Sequence, residues 1–406
     1  MAQLARVLPL PPPTVEALAA VADAYRLAIP PYYLSLIDPD DPDDPIRLQA
    51  VPSPLELDEV AADEMADPLE EEEDSPVRGL THRYPDRVLV LASQVCPMYC
   101  RFCTRKRNTM ARDAEPHLQA DVDAVVQYVR DHPEVHDIIV SGGDPLMLSA
   151  ARLRRLIAPL AEIEHVDLIR VGTRVPVTLP QRLLDGELVD MLAAQRKVWV
   201  QTHFNHVREI TRESALACRL LIEAGIPVNN QATLLQGVND SVEAMHALVR
   251  GLLRIKVRPY YMFHCDPVRG AGHFRTSLWK GLEIIENLRG WTSGLAVPHL
   301  VIDHGRHSVT ADGMKPRPHV LLQASPEGGG IPAVLGVHED PSPPRSAGLR
   351  EGVGRSVHSA SPPLPHVGLA RSHPVEVPSQ LREESLVAQD SPDVLRGAFQ
   401  IEPLEV

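Results

Sequence analysis

Three cysteines fall close together in the stretch SQVCPMYCRFCTRKR: Cys96, Cys100 and Cys103. Thiolates are the soft ligands that iron–sulfur clusters take. Three on one tight loop, spaced C-x3-C-x2-C, can hold three irons of a [4Fe–4S] cube. The fourth iron is then open to a small molecule. A structural zinc ion would want a fourth Cys or His at suitable spacing, and the other two cysteines, Cys218 and Cys265, lie far away in sequence. Cysteines with only a packing role would not gather on one turn beside four basic residues. A second group of interest is Ser141-Gly142-Gly143-Asp144. A glycine pair lets backbone approach a ligand, and its N–H groups can grip a carboxylate.

Regular elements must position these residues. From Arg87 onward, short β-branched runs alternate with amphipathic helical windows. Strands are expected at 87–92, 137–141, 166–171, 198–203, 227–232 and 257–263, and helices near 119–131, 149–161, 181–196, 212–224, 240–254 and 278–289. Six βα units in a row imply an α/β fold with a parallel sheet and outer helices. Six are too few for a closed eight-fold barrel. The expectation is a partial, open, TIM-like six-fold βα barrel whose site lies at the C-terminal strand ends. The cysteine loop follows the first strand, the glycine turn the second, and His203 and Gln231 end the fourth and fifth. Two more strands are expected at 298–302 and 319–323. Before the barrel, 14–27 reads as a helix capped by Thr14. The run Glu70–Asp74 reads as a solvated acidic stretch.

Composition bounds the class. The 406 residues carry 40 Lys+Arg against 54 Asp+Glu, a net charge of −14, which argues against a general nucleic-acid binder. Hydrophobic residues make up 44%, enough for a real core. No apolar run approaches the ~18 residues of a membrane span. Five cysteines, an odd count, point to a reducing cytoplasm rather than a disulfide scaffold. The stretch 333–406 holds ten prolines and one aromatic, Phe399. Such a segment buries too little apolar surface to offset its ordering entropy, and disorder is expected.

The C-x3-C-x2-C loop after the first strand of a partial barrel resembles the radical S-adenosylmethionine (SAM) superfamily. THRYPDRVLVL, MYCRFCTRKR, SGGDPL, THFNH, CDPVRGAGHFRT and the earlier YYLSLIDPDDPDDPIRLQAVPS are together similar to the lysine 2,3-aminomutase family. The likeness runs from about residue 30 to about residue 328. It implies that SAM is bound by the open iron and by Gly142, Gly143, Asp144, His203 and Gln231. It implies that Arg105 pairs with a substrate α-carboxylate, and that Asp266 and Asp303 hold the distal ammonium of lysine. Arg83 and Arg87 match basic residues near pyridoxal 5′-phosphate (PLP). The activity implied moves the α-amino group of L-lysine, or a similar cationic amino acid, to the β-carbon through a 5′-deoxyadenosyl radical and a PLP imine. A reducing electron donor such as flavodoxin or ferredoxin is implied as partner.

One segment departs from the family pattern. After Asp303 the family carries a glycine run and then the lysine of the PLP Schiff base. Here HGRHSVTADGMKPRP follows, and Lys315 is the nearest lysine and the Schiff-base candidate. The altered loop keeps two alternatives open: a PLP-independent radical SAM enzyme acting on an amino acid or peptide, and an inactive homologue with an interaction role. The cysteines that bind zinc in some family members are absent, so zinc is not expected. Neither a nucleic-acid nor a membrane partner is expected, and self-association stays open. The expected layout is a helical or irregular extension at 1–80, the barrel at 81–295, a substrate and PLP segment at 296–332, and the Pro-rich tail at 333–406.

Overall fold

Strands fed through helices from one end of a sheet must all run the same way. That is the arrangement in the computed structural model of the chain, which describes residues 3–58, 64–110, 120–184, 186–304 and 307–310. The strands are β1 (Leu80–Tyr84), β2 (Arg87–Ser93), β3 (Asp137–Gly142), β4 (Leu168–Gly172), β5 (Val198–Thr202), β6 (Val228–Leu234), β7 (Arg258–His264), β8 (His299–His304) and β9 (His307–Thr310). They form one sheet in sequence order. β2 to β8 are parallel, and β1 and β9 add antiparallel edges. The sheet is an open half-barrel, α/β in class, with six βα units as expected.

The seven parallel strands fall on the apolar runs. β1 and β9 do not. LTHRY has no alternation to announce it, and it pairs antiparallel with β2 across a two-residue turn. The strand expected at 319–323, Lys315 and the tail 333–406 lie outside the described residues.

The helices form where their caps and apolar stripes dictate. Asp121, Ser149, Thr211, Ser241 and Ser277 each accept a backbone N–H of the first turn. Two boundaries differ from expectation. The N-terminal helix is Pro12–Ala24, because prolines fill its first turn, where a missing N–H costs nothing. Thr14 therefore sits inside the helix. The window at 181–196 divides into a 3-10 turn, Pro180–Leu184, and a helix, Gly186–Ala193.

Alternation along the strands sorts the two faces. On β3, Ile138 and Val140 are fully buried against helices, while Asp137, Ile139 and Ser141 are half-buried on the other face. Register carries that face round the sheet: Leu89, Ile139, Arg170 and Trp199 make one row. Gly172, Gln201 and Asn229 make another, nearer the C-terminal rim.

The Pro- and Asp-rich stretch before the barrel is also ordered. Asp44 caps the helix Pro45–Ala50 through Ile46 N and Arg47 N, and pairs with Arg208. Ser53 and Glu56 form a capping box. Tyr33, Ile46, Gln49 and Ala50 are fully buried. Local hydrogen bonds, not periodicity, hold this segment on the rim.

Candidate active site

The cysteine loop runs from β2 to the short helix Lys106–Thr109. Backbone bonds fix its path. Cys103 N–H donates to Cys100 O at 3.0 Å, Arg101 N–H to Gln49 O at 3.0 Å, and Tyr99 N–H to Ala28 O at 3.3 Å. All three cysteines are free and partly buried. Burial, and then the neighbouring Cys103, push the Cys96 thiol well up. Burial also raises Cys100. Cys103 is among the causes for both Cys96 and Cys100, so the three sulfurs share one volume. Iron cations would relieve that mutual repulsion, so the donor set fits a cluster.

The basic residues of the motif divide by role. Arg101 is fully buried and donates from Nε and Nη2 to the two oxygens of Glu56, at 2.9 and 2.6 Å. Lys106 Nζ donates to Glu56 Oε2 at 2.9 Å and to Gly270 O at 2.6 Å. It also stands 4.6 Å from the centre of the Tyr25 ring. Burial alone would push the Glu56 carboxyl up, but Arg101 and Lys106 outweigh it and hold the group below its ordinary range. These two cations are structural.

Arg105 meets a different carboxylate. Its Nε and Nη2 donate to Glu71 Oε1 at 3.0 and 2.6 Å. Arg107 Nη2 reaches Glu71 Oε2 at 3.3 Å. Glu71 is only 5% exposed. This corrects the reading of 70–74 as a solvated run. One carboxylate turns inward onto the arginine that the family likeness gives to substrate. Asp74 pairs with Arg83, while Glu72 keeps its side chain 76% exposed.

The glycine turn also works differently from expectation. A Cβ on Gly142 (φ +108) would lie 2.6 Å from Ser93 O, and one on Gly143 would lie 2.7 Å from Val95 O. Gly143 N–H donates to Ser93 O at 2.5 Å and Asp144 N–H to Val95 O at 2.9 Å. The close approach is to the root of the cysteine loop, and these two N–H groups are used there rather than on a ligand carboxylate. Asp144 is buried, and its oxygens accept from Leu146 N, Thr173 Oγ1 and Arg174 N. It ties the turn to the end of β4.

Arg174 follows β4 and was not marked by the sequence. Its Nη1 donates to Cys100 Sγ at 2.8 Å. Nη2 donates to Glu209 Oε1 at 2.7 Å, and Nε to His203 O at 3.1 Å. An arginine directly after a parallel strand was the signal available. His203 follows β5, with Nε2 3.4 Å from Thr233 Oγ1 and its ring 5.6 Å from that of Phe102. Burial, then Arg174, push its pKa down to about 3, so the imidazole is neutral. Gln231 lies within β6, half-buried.

Asp266, after β7, accepts the Thr104 hydroxyl at 2.8 Å. Burial and then Asp303, on β8, push its pKa up to about 7. Two carboxylates expected together are thus within electrostatic reach. Arg83, on β1, has Nη2 buried with no partner, a donor that an anionic group such as a phosphate would satisfy. Arg87 begins β2, pairs with Asp86 and stands 4.7 Å from the Tyr84 ring centre. Arg83 and Arg87 lie at the same end of the β1–β2 pair, where Tyr84 is opposite Arg87.

The Radical SAM superfamily profile matches residues 90–249. An L-lysine 2,3-aminomutase of Clostridium subterminale is 52% identical over 301 residues, 74% of this chain and 72% of that protein. One of Acetoanaerobium sticklandii is equally similar over the same shares. A glutamate 2,3-aminomutase of Clostridioides difficile is 43% identical over 300 residues, 74% of this chain and 70% of that protein.

Proposed function

The chain belongs to the lysine 2,3-aminomutase family of the radical SAM superfamily, and from that premise we propose that its substrate is L-lysine or a close cationic amino acid. It is a radical SAM aminomutase, an isomerase whose cofactors are a [4Fe–4S] cluster, SAM and PLP. When bound, cluster and SAM supply the radical that takes the β-hydrogen, and PLP carries the migrating nitrogen.

The observation that carries the lysine reading is the charge around Asp266. Burial, Asp303 and Glu71 all disfavour its ionised form, against Thr104 and Arg105. An ammonium group placed there relieves the repulsion. A side-chain carboxylate would add a further negative charge to it, at a cost of several kcal/mol. This supports lysine over glutamate.

The chain's residues then take these roles. Cys96, Cys100 and Cys103 hold the cluster, and neutral His203 and Gln231 line the SAM side. Asp144 holds the glycine turn against the loop. Arg105 binds the α-carboxylate, a bidentate pairing that its guanidinium already makes with Glu71 through Nε to Oε2 and Nη2 to Oε1. Asp266 and Asp303 take the distal ammonium, which fixes the distance from the β-carbon to the radical source. Arg83 offers its spare Nη2 to the PLP phosphate. Lys315 is the amine proposed to anchor PLP.

The test is anaerobic incubation of the reconstituted, reduced protein with SAM and either L-lysine or L-glutamate, with and without PLP. PLP-dependent β-lysine, separated by chromatography and identified by mass spectrometry, is the expected product. β-Glutamate in its place would overturn the substrate. Deoxyadenosine with neither product would leave the radical step intact and overturn the amino-acid reading.

A further inference from the structure

We propose that Arg174 sets the reduction potential of the iron–sulfur cluster, acting through its hydrogen bond to the Cys100 sulfur. The proposal goes beyond the substrate reading and holds for any substrate. It rests on Cys100 as a cluster ligand.

The guanidinium is held so that it cannot turn away from the sulfur. Nη1 points at Cys100 Sγ, 2.8 Å away. The other donors are committed: Nε to His203 O at 3.1 Å, and Nη2 to Gln49 Oε1 and Glu209 Oε1 at 2.5 and 2.7 Å. The Phe102 and Tyr33 rings lie 5.3 and 5.7 Å from Cζ. Arg174 is 8% exposed, so water screens its charge weakly.

Glu209 is the obvious counter-charge, but other donors share it. Its Oε2 accepts Asn205 N at 2.6 Å and His206 N at 2.9 Å. Its Oε1 also accepts the Tyr33 hydroxyl at 2.7 Å. Much of that carboxylate is therefore spent on the turn 205–209. What reaches the sulfur directly is the Nη1 N–H, whose positive end points at Cys100 Sγ.

Reduction adds one electron to the cluster from a one-electron donor, which is itself oxidised. No bond forms or breaks in that step. The added negative charge is stabilised by a nearby cation and by an N–H···S bond, so the potential rises. Arg105 sits close to Cys103, but among the described residues its hydrogen bonds go to Glu71 and not to a sulfur. Arg174 is the cation bonded to a sulfur.

The experiment is a redox titration of the reconstituted protein with titanium(III) citrate, followed by electron paramagnetic resonance of the reduced cluster. In Arg174→Met with full iron content, the reduced-to-oxidised ratio at a fixed potential falls at least tenfold, a shift of about −59 mV for a one-electron couple. Arg174→Lys recovers part of it. Gln49→Glu leaves Arg174 in place and sets a carboxylate against Nη2, and it shifts the ratio the same way. An unchanged or raised potential in Arg174→Met overturns the proposal, as does an unshifted Gln49→Glu protein. Cluster loss in both variants also overturns it, because Arg174 would then only build the loop. A Cys100→Ala protein that keeps its cluster would instead fail the ligand assignment on which the proposal rests.

Discussion

Two groups of buried charge flank the cysteine loop and are built on opposite plans. At Glu56, one carboxylate meets Arg101 and Lys106, and backbone carbonyls of Arg26 and Gly270 take further donors. At Asp266, a carboxylate faces Asp303 and receives one hydroxyl, from Thr104. Thr104 and Lys106 are two residues apart and serve different groups. In the first group the carboxylate is paired with cations that the protein itself supplies. The second, on the proposed function, is completed by the ammonium of the substrate. A structural cluster and a binding cluster are told apart by this balance more than by burial.

The largest expected effect breaks the first group. Glu56→Ala leaves two buried cations without their carboxylate, which costs about 3–5 kcal/mol. The unfolding free energy read from denaturant titration of the holoprotein falls by that amount. A change under 1 kcal/mol would show that Glu56 is not what holds the loop.

Next comes the second group. Asp266→Asn keeps shape and removes charge. Loss of a buried charged contact to substrate is worth about 2–5 kcal/mol, roughly 30- to 5,000-fold in kcat/KM for lysine. Folding and cluster content stay as they were. A variant that unfolds, or that turns lysine over normally, would erase the contrast with Glu56.

The pH dependence sharpens it. A carboxyl raised to about 7 in the fold holds its proton longer there than in the unfolded chain. It favours folding below the ordinary carboxylate pKa, and that contribution is lost as pH rises through 7. A bound ammonium favours the ionised form, so lysine binding expels a proton below pH 7. Affinity for lysine then falls about tenfold per unit as pH drops from 7 towards 5. Titration calorimetry in buffers of different ionisation enthalpy reads the released proton directly.

The smallest effect concerns Arg105. Glu71→Gln loosens the pair that occupies this arginine, and KM for lysine falls about two- to tenfold with kcat kept. A rise in KM would instead make Glu71 the residue that aims Arg105.

Legibility in the sequence followed the kind of force at work. Parallel strands with one face buried and the other half-buried write themselves as apolar runs such as VLVLA and DIIV, and all seven were legible. The cysteine spacing is local, so the loop was legible too. Glu71 was not, because one of four successive glutamates turns inward and composition does not say which. Arg174 was missed because its partners Gln49, Cys100 and Glu209 are scattered along the chain. The glycine turn was found for a reason the fold corrected: its tight approach is to Val95 and Ser93. Lys315 lies outside the described residues, so its role rests on the family likeness.

The lock on Cys100 also sets an order of assembly. Gln49 precedes the loop by about half a hundred residues, whereas Arg174 and Glu209 follow it after several strands. During synthesis the loop emerges early but meets its arginine only after β4, and the carboxylate behind that arginine only after β5. The thiols therefore leave the ribosome well before the arginine and the carboxylate that enclose them, so metal delivered in that interval meets a loop still open to solvent and to oxidants.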